Sequence, residues 1–333
     1  MKNQNNIGKK LLGILMTLAL PVLVYVLFGV LSGGRMFNTR AILTTLRTAV
    51  QPAIICFALL LGMNIGMMNF SAGAIVLCSA IVGSGLSNTL GWGLPGLILF
   101  ALLTSLICSA IMGALYNWLR VPSMVLGLGL MLVFEAVPRV VFPAGAVIAS
   151  ENGFLARQPW VFVVMAVVMI LFYIIFNKTA YGHNVRAIGA NQSVALAAGL
   201  NLDKIKFINF IVSGIFLGIA AVLHMSASGK LMNVAALGSM TVMMDAFMGV
   251  FLGMLLSRWS DPSISVFCGV LTMKAMSTGF VAVGLEAVWE EVVTGLFMLA
   301  IMAISANAAL PGILKANKAF KLQADAEYEK RLG

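Results

Sequence analysis

The chain has 333 residues, of which 61% are hydrophobic and only 10% charged, with a mean hydropathy of +1.03. Soluble domains carry about a quarter charged residues, so the composition excludes that class and points to an all-α, polytopic membrane protein. The 21 Lys and Arg against 11 Asp and Glu, a net +10, would suggest nucleic acid in a soluble chain; here membrane topology accounts for it, and no nucleic-acid partner is expected.

In chain order, apolar stretches near the ~20 residues that a bilayer requires fall at about 11–31, 41–61, 70–88, 93–118, 121–142, 159–177, 207–226, 241–257, 262–280 and 288–306. They predict about ten spans, with a short N-terminal segment, 1–10, and a tail, 307–333, at either end of a 11–306 membrane domain. The first stretch imitates a signal peptide, but it is long enough for a retained span and has no small-residue cleavage site. The Gly- and Ser-rich 70–88 stretch and the tightly joined pair between 241 and 280 suit broken or re-entrant elements. Gly29/Gly33, Gly62/Gly66, Gly214/Gly218 and Gly249/Gly253 are small-xxx-small pairs of the kind that lets helices approach closely in lipid, and 22 methionines suit irregular gaps.

Positive residues favour the cytoplasmic side. With the N-terminus inside, the outer segments hold only Arg35, Arg40, Arg157 and Lys230. The inner ones hold Lys2, Lys9, Lys10, Arg120, Lys178, Arg186, Lys204, Lys206, Arg258 and the basic tail. Both termini and the polar insert 178–206 are therefore expected in the cytoplasm. Within the tail, 315–331 mixes both charge signs and suits a short surface helix.

The insert separates two long apolar runs. Asn191 can cap a short helix from Gln192 to Ala198, which Gly199 can end in the left-handed conformation. A rod of roughly 10 Å is not stable alone, and its Val194, Ala195, Ala197 and Ala198 suit a shallow groove on a partner. An ordinary loop with one helical turn is the competing reading.

No enzyme constellation is visible. His183 and His224 lack metal-ligand spacing, Cys56, Cys78, Cys108 and Cys268 lie in separate apolar runs as buried small hydrophobes, and no phosphate-binding G-x-x-x-x-G-K-[ST] is present. The chain is not expected to hydrolyse ATP by itself, to bind a metal or to hold a cofactor. Five charges fall within or at the edge of spans, where they are costly: Arg47, Glu135, Arg139, Asp245 and Lys274. Glu135 and Arg139 stand four apart and can neutralise each other on one helical face. Asp245 and Lys274 can pair across the bundle or line a path, and an ion-coupled carrier would use such carboxylates. Glu286, Glu290 and Glu291 suit a helix N-terminus, or an outer acidic patch for a soluble partner. In GMNIGMMNFSAG, Gly62 to Gly73, polar residues and glycine breaks fit either a solute site facing a hydrated cavity or a tight turn.

The stretch from Tyr181 to Lys206, YGHNVRAIGANQSVALAAGLNLDKIK, resembles the cytoplasmic pattern Gly-Arg, Ala-x-Gly-x-Asn, Ala-Ala-x-x-x-Gly-Ile of permease subunits from binding-protein-dependent ABC importers. Those permeases serve ribose and related sugars, nucleosides and, more distantly, branched-chain amino acids. FINFIVSGIFLGIAAVL is similar to the family's following span. The resemblance implies a transmembrane subunit that moves a small polar solute, a sugar or nucleoside, across the inner membrane. It implies separate ATPase subunits that bind ATP and magnesium, an extracytoplasmic binding protein, and a second permease chain, identical or related. It implies a coupling helix after Asn191, with Gly182, Gly189, Asn191, Ala195, Ala198 and Gly199 in ATPase coupling, and Asn64, Asn69, Phe70 and Ser71 on the solute path. Asn69 stands where the family carries an aspartate. Asp245-Ala246 matches a family Asp-Ala pair, whereas Leu252 to Pro262 replaces the glycine-rich stretch that normally follows.

Overall fold

The computed structural model describes residues 2–285, 289, 292–297, 299, 300 and 303. Eleven α-helices are defined there: α1 Lys2–Leu31, α2 Thr39–Asn64, α3 Ala72–Leu90, α4 Gly93–Leu119, α5 Ser123–Val141, α6 Trp160–Lys178, α7 Ala180–Ala190, α8 Gln192–Ala197, α9 Leu202–Ser228, α10 Met240–Leu256 and α11 Pro262–Val283. Eight are long and apolar enough to cross a membrane, and α10, at 17 residues, is a shorter apolar helix. The expected spans from 11 to 280 thus each have a helix. Of the tenth, 288–306, about half lies among the described residues, with 292–297 helical; Glu286, Glu290, Glu291 and the 315–331 tail lie outside them altogether.

Local chemistry sets the helix limits. Asn38 accepts from the Arg40 amide before α2, Asn201 from the Lys204 amide before α9, and Asp261 from the Ser263 amide before α11, each supplying an acceptor for an orphan first-turn donor. Pro262 then occupies the first turn of α11, where its missing N–H costs nothing.

α2 is the central helix: from Pro52 to Gly62 every residue is buried, and it meets α6, α9, α10 and α11. Phe57 of α2 stacks on Phe172 of α6, with ring centres 4.5 Å apart, and Phe216 of α9 closes the group. α1 and α6 instead present Leu15, Val22, Leu23, Val167 and Ile170 outward, as a lipid-facing layer must.

Two of the four glycine pairs work as expected. On α9, Gly214 and Gly218 lie against Ser109 and Leu102 of α4, close enough for Ser105 Oγ to donate to the Gly214 carbonyl at 2.7 Å. On α10, Gly249 and Gly253 meet Val270 and Val266 of α11. The pairs Gly29/Gly33 and Gly62/Gly66 do not join helices, because Gly33 and Gly66 lie past their helix ends with φ of 65° and 77°. Replacing Gly214 by valine is expected to cost about 1–3 kcal/mol through overpacking. A lower melting midpoint in detergent is the measure, and an unchanged midpoint would contradict this packing.

The insert α7–α8 lies at one end of the bundle. At the other, β1 Ala146–Val147 pairs antiparallel with β2 Lys230–Leu231. These ends are called the insert side and the sheet side. α3 is continuous, so the break expected within 70–88 falls before it, in residues 65–71. The re-entrant element is the approach to α10: the amides of Leu237 and Ser239 reach Glu135, whose position on α5 is about 9 Å below that helix's sheet-side end. Residues 232–239 therefore fold back into the bundle, and α10 begins inside it.

Candidate functional site

The insert is more ordered than a single helical turn. Thr179 Oγ1 accepts from the Gly182 amide and starts α7, an element the sequence reading missed although Thr179 was a visible cap. Gly182 lies against the carbonyls of Ile175 and Phe176, where a Cβ would overlap them. Val185 and Ile188 are buried, Arg186 lies over the Phe176 ring, and Tyr181 donates to Asn209 Oδ1 at 2.7 Å. Burial pushes the Tyr181 phenol above its ordinary range, so it remains a neutral donor. Asn191 Oδ1 then accepts from Ser193 and Val194 and opens α8. This helix ends at Ala197, one residue earlier than expected, and Gly199 takes a φ of 83°. Ala195 turns inward and is buried, Ala198 is exposed, and Val194 and Leu196 are 63% and 55% exposed.

The insert grips the end of α2. Gly189 packs so closely on the Asn64 carbonyl that a Cβ would overlap it, and Gln192 Nε2 donates to the Ile65 carbonyl at 3.3 Å. Asn64 itself donates to Leu60, and Asn69 Oδ1 accepts from both the amide and the hydroxyl of Ser71 at the head of α3. Met68 is tied to Ser123 of α5, while Phe70 packs on Gly127 of α5 and on the Phe247 ring of α10. Asn64, Asn69, Phe70 and Ser71 thus form a joint between the insert, α3, α5 and α10. Close by, Asn177 at the end of α6 donates to Asp261, which heads α11 within the stretch that departs from the family's glycine-rich pattern.

A cavity of about 450 Å³ lies elsewhere, between α2, α9, α10 and α11. Arg47, Gln51, His224, Asp245 and Lys274 give it its polar wall, with Thr44 and Thr48 beside them. Lys274 Nζ is 2.6 Å from Asp245 Oδ2, so this pair meets across the bundle and lines the cavity at once. Gln51 Nε2 is 2.6 Å from His224 Nδ1. Gln51 was not singled out from sequence and His224 was considered only as a metal ligand; nothing local marks either, because their pairing joins residues 173 positions apart. Among the described residues no group of three or more His, Cys, Asp or Glu could hold a metal ion.

Glu135 and Arg139 do not neutralise each other. The Glu135 carboxylate accepts from the amides of Leu237 and Ser239 at 2.8 and 2.7 Å, and Arg139 Nε donates to the Glu135 backbone carbonyl. Two aligned amides at the positive end of α10 hold the carboxylate better than a flexible neighbour on the same helix.

Residues 41–302 match the family described as branched-chain amino acid transport system / permease component. The chain belongs to this permease family. The permease is 25% identical over 323 residues to the autoinducer 2 import system permease protein LsrC of Photorhabdus luminescens, covering 90% of this chain and 96% of the relative. It is 26% identical over 274 residues to the LsrC of Yersinia pseudotuberculosis serotype O:1b (strain IP 31758), covering 78% and 76%. With the galactofuranose transporter permease protein YtfT of Escherichia coli (strain K12) it shares 25% over 289 residues, covering 84% and 82%. No solved structure matches it. As a multi-pass permease component, this chain serves the passage of a small polar solute. The ion-coupled alternative is not favoured: Asp245 is committed to Lys274, and Glu135 to two backbone amides.

Proposed function

We propose that this permease carries a sugar-like solute inward across the cytoplasmic membrane, driven by ATPase subunits that dock on α8 from the cytoplasm. The names of LsrC and YtfT support the substrate class. The basic residues of the insert support its cytoplasmic placement, and with it both termini. ATP and magnesium belong to the ATPases. A binding protein delivers solute on the sheet side, and a second permease chain, identical or related, completes the pathway.

The observation that carries the mechanism is the grip of Gly189 and Gln192 on the end of α2. A push on α8, relayed through Gly182, Gly189, Asn191, Ala195, Ala198 and Gly199, reaches Asn64 directly. It continues through Asn69, Phe70 and Ser71 to α3 and α10, and on this reading those four residues stand at the cytoplasmic end of the path. Differential affinity of the two states for ATPase and binding protein then drives the switch.

Gly189→Val tests the relay. It should leave the ATPase subunits bound yet lower ATP-driven uptake by at least about tenfold, since a misplacement near 1 Å is costly in a preorganised device. Unaltered uptake would remove the grip from the mechanism. In proteoliposomes containing the whole complex, uptake that survives ATP depletion but collapses with the proton gradient would overturn the assignment itself.

A further inference from the structure

The large cavity is not electrically balanced. Four titratable groups face it: Arg47 on α2, His224 on α9, Asp245 on α10 and Lys274 on α11. Lys274 and Asp245 cancel in their 2.6 Å pair, and His224 is engaged by Gln51. Arg47 has no hydrogen-bond or ion-pair partner among the described residues, although it stands eight residues into α2, roughly 12 Å from that helix's sheet-side start. A guanidinium at that depth is costly unless water or a counter-charge meets it. Its planar fork suits a carboxylate or a phosphate, which it can hold through two parallel hydrogen bonds.

The rest of the wall suits hydroxyls. Thr44 and Thr48 donate to α2 carbonyls and keep their oxygens as acceptors, and the Gln51–His224 pair adds further polar atoms. A volume of about 450 Å³ lies within the range of small-molecule sites.

On the reading that this cavity receives the solute, we infer that the solute is a polyhydroxylated anion, a sugar acid or a sugar phosphate, whose anionic group is held by Arg47. Arg47 is exposed, so a neutral sugar would satisfy the hydroxyl-facing groups and leave the guanidinium to water alone; the anion satisfies both.

The test uses the complete transporter in proteoliposomes with Thr48→Cys as a reporter, and Ala227→Cys across the cavity as a second one should the first fail to fold. The four native cysteines are buried. Methanethiosulfonates carrying a sulfonate or a trimethylammonium group are applied from the sheet side. Normalised to a free thiol, the anionic reagent should react faster by on the order of tenfold, and Arg47→Gln should bring the ratio close to one. A ratio at or below one with Arg47 in place overturns the charge assignment. D-galacturonate and D-galactose 6-phosphate, compared with D-galactose, then identify the anionic group. At least one anion should slow labelling at a concentration about tenfold lower than the neutral sugar does, and lose that advantage in Arg47→Gln. No advantage for either anion also overturns the assignment. A thiol that neither reagent reaches would refute the parent reading, that the cavity receives solute.

Discussion

Replacing Val194 and Leu196 together by aspartate is expected to strip the ATPase subunits from the permease while leaving its fold intact. α8 is held by contacts that do not involve these side chains: the Asn191 cap, the inward-facing Ala195 and the Leu200 amide on the Ala195 carbonyl. Val194 and Leu196 are therefore available to a partner and contribute little to the bundle. Burying two such apolar side chains in an interface is worth roughly 1.5–3 kcal/mol each, and a buried unpaired carboxylate reverses the sign. Association should fall by more than about 100-fold. Co-purification reads the loss, and the melting midpoint of the permease alone should move little. ATPase retention at its usual level in the double variant would mean that the docking surface lies elsewhere.

The largest effect on the chain itself is expected at Glu135. Its carboxylate is the acceptor for Leu237 and Ser239, where the backbone returns into the bundle and Leu237 adopts a φ of 63° that a branched side chain disfavours. Glu135→Ala leaves both amides unpaired away from water, at about 1–3 kcal/mol for each, and removes the negative charge from the start of α10. Glu135→Gln keeps one strong acceptor and should retain about half of that stabilisation. Thermal unfolding in detergent orders the three proteins: wild type, glutamine, alanine. Uptake should follow the same order, because α10 carries Asp245 and the Phe247 contact to Phe70. An alanine variant as stable as the wild type would show that water or another group satisfies the amides.

These two sites differ in how far they could be read from the chain. α8 was legible because its signals are local: a capping asparagine, a run of small apolar residues and a glycine, all within nine positions. The Glu135 site was misread because spacing along one helix offers Arg139, whereas the partners that prevail lie about a hundred residues away on a segment whose re-entry has no sequence signature. The residues from Asn64 to Ser71 stood out correctly as a break between spans. Their contacts with Gly189, Gln192, Ser123 and Phe247 are what make them a joint, and those contacts are non-local.

The amino-acid sequence by itself determined that the chain lives in a membrane, where its long apolar segments fall, and that a polar insert interrupts them. Hydropathy, length and capping act over a few to about twenty residues, so a linear reading captures them. Only the tertiary structure decided which charges meet, where α10 begins, and that a cavity with Arg47, Asp245 and Lys274 in its wall lies between α2, α9, α10 and α11. Inside a bilayer each polar group must find its partner within the protein, and the partner that wins is set by which helix faces close packing brings together.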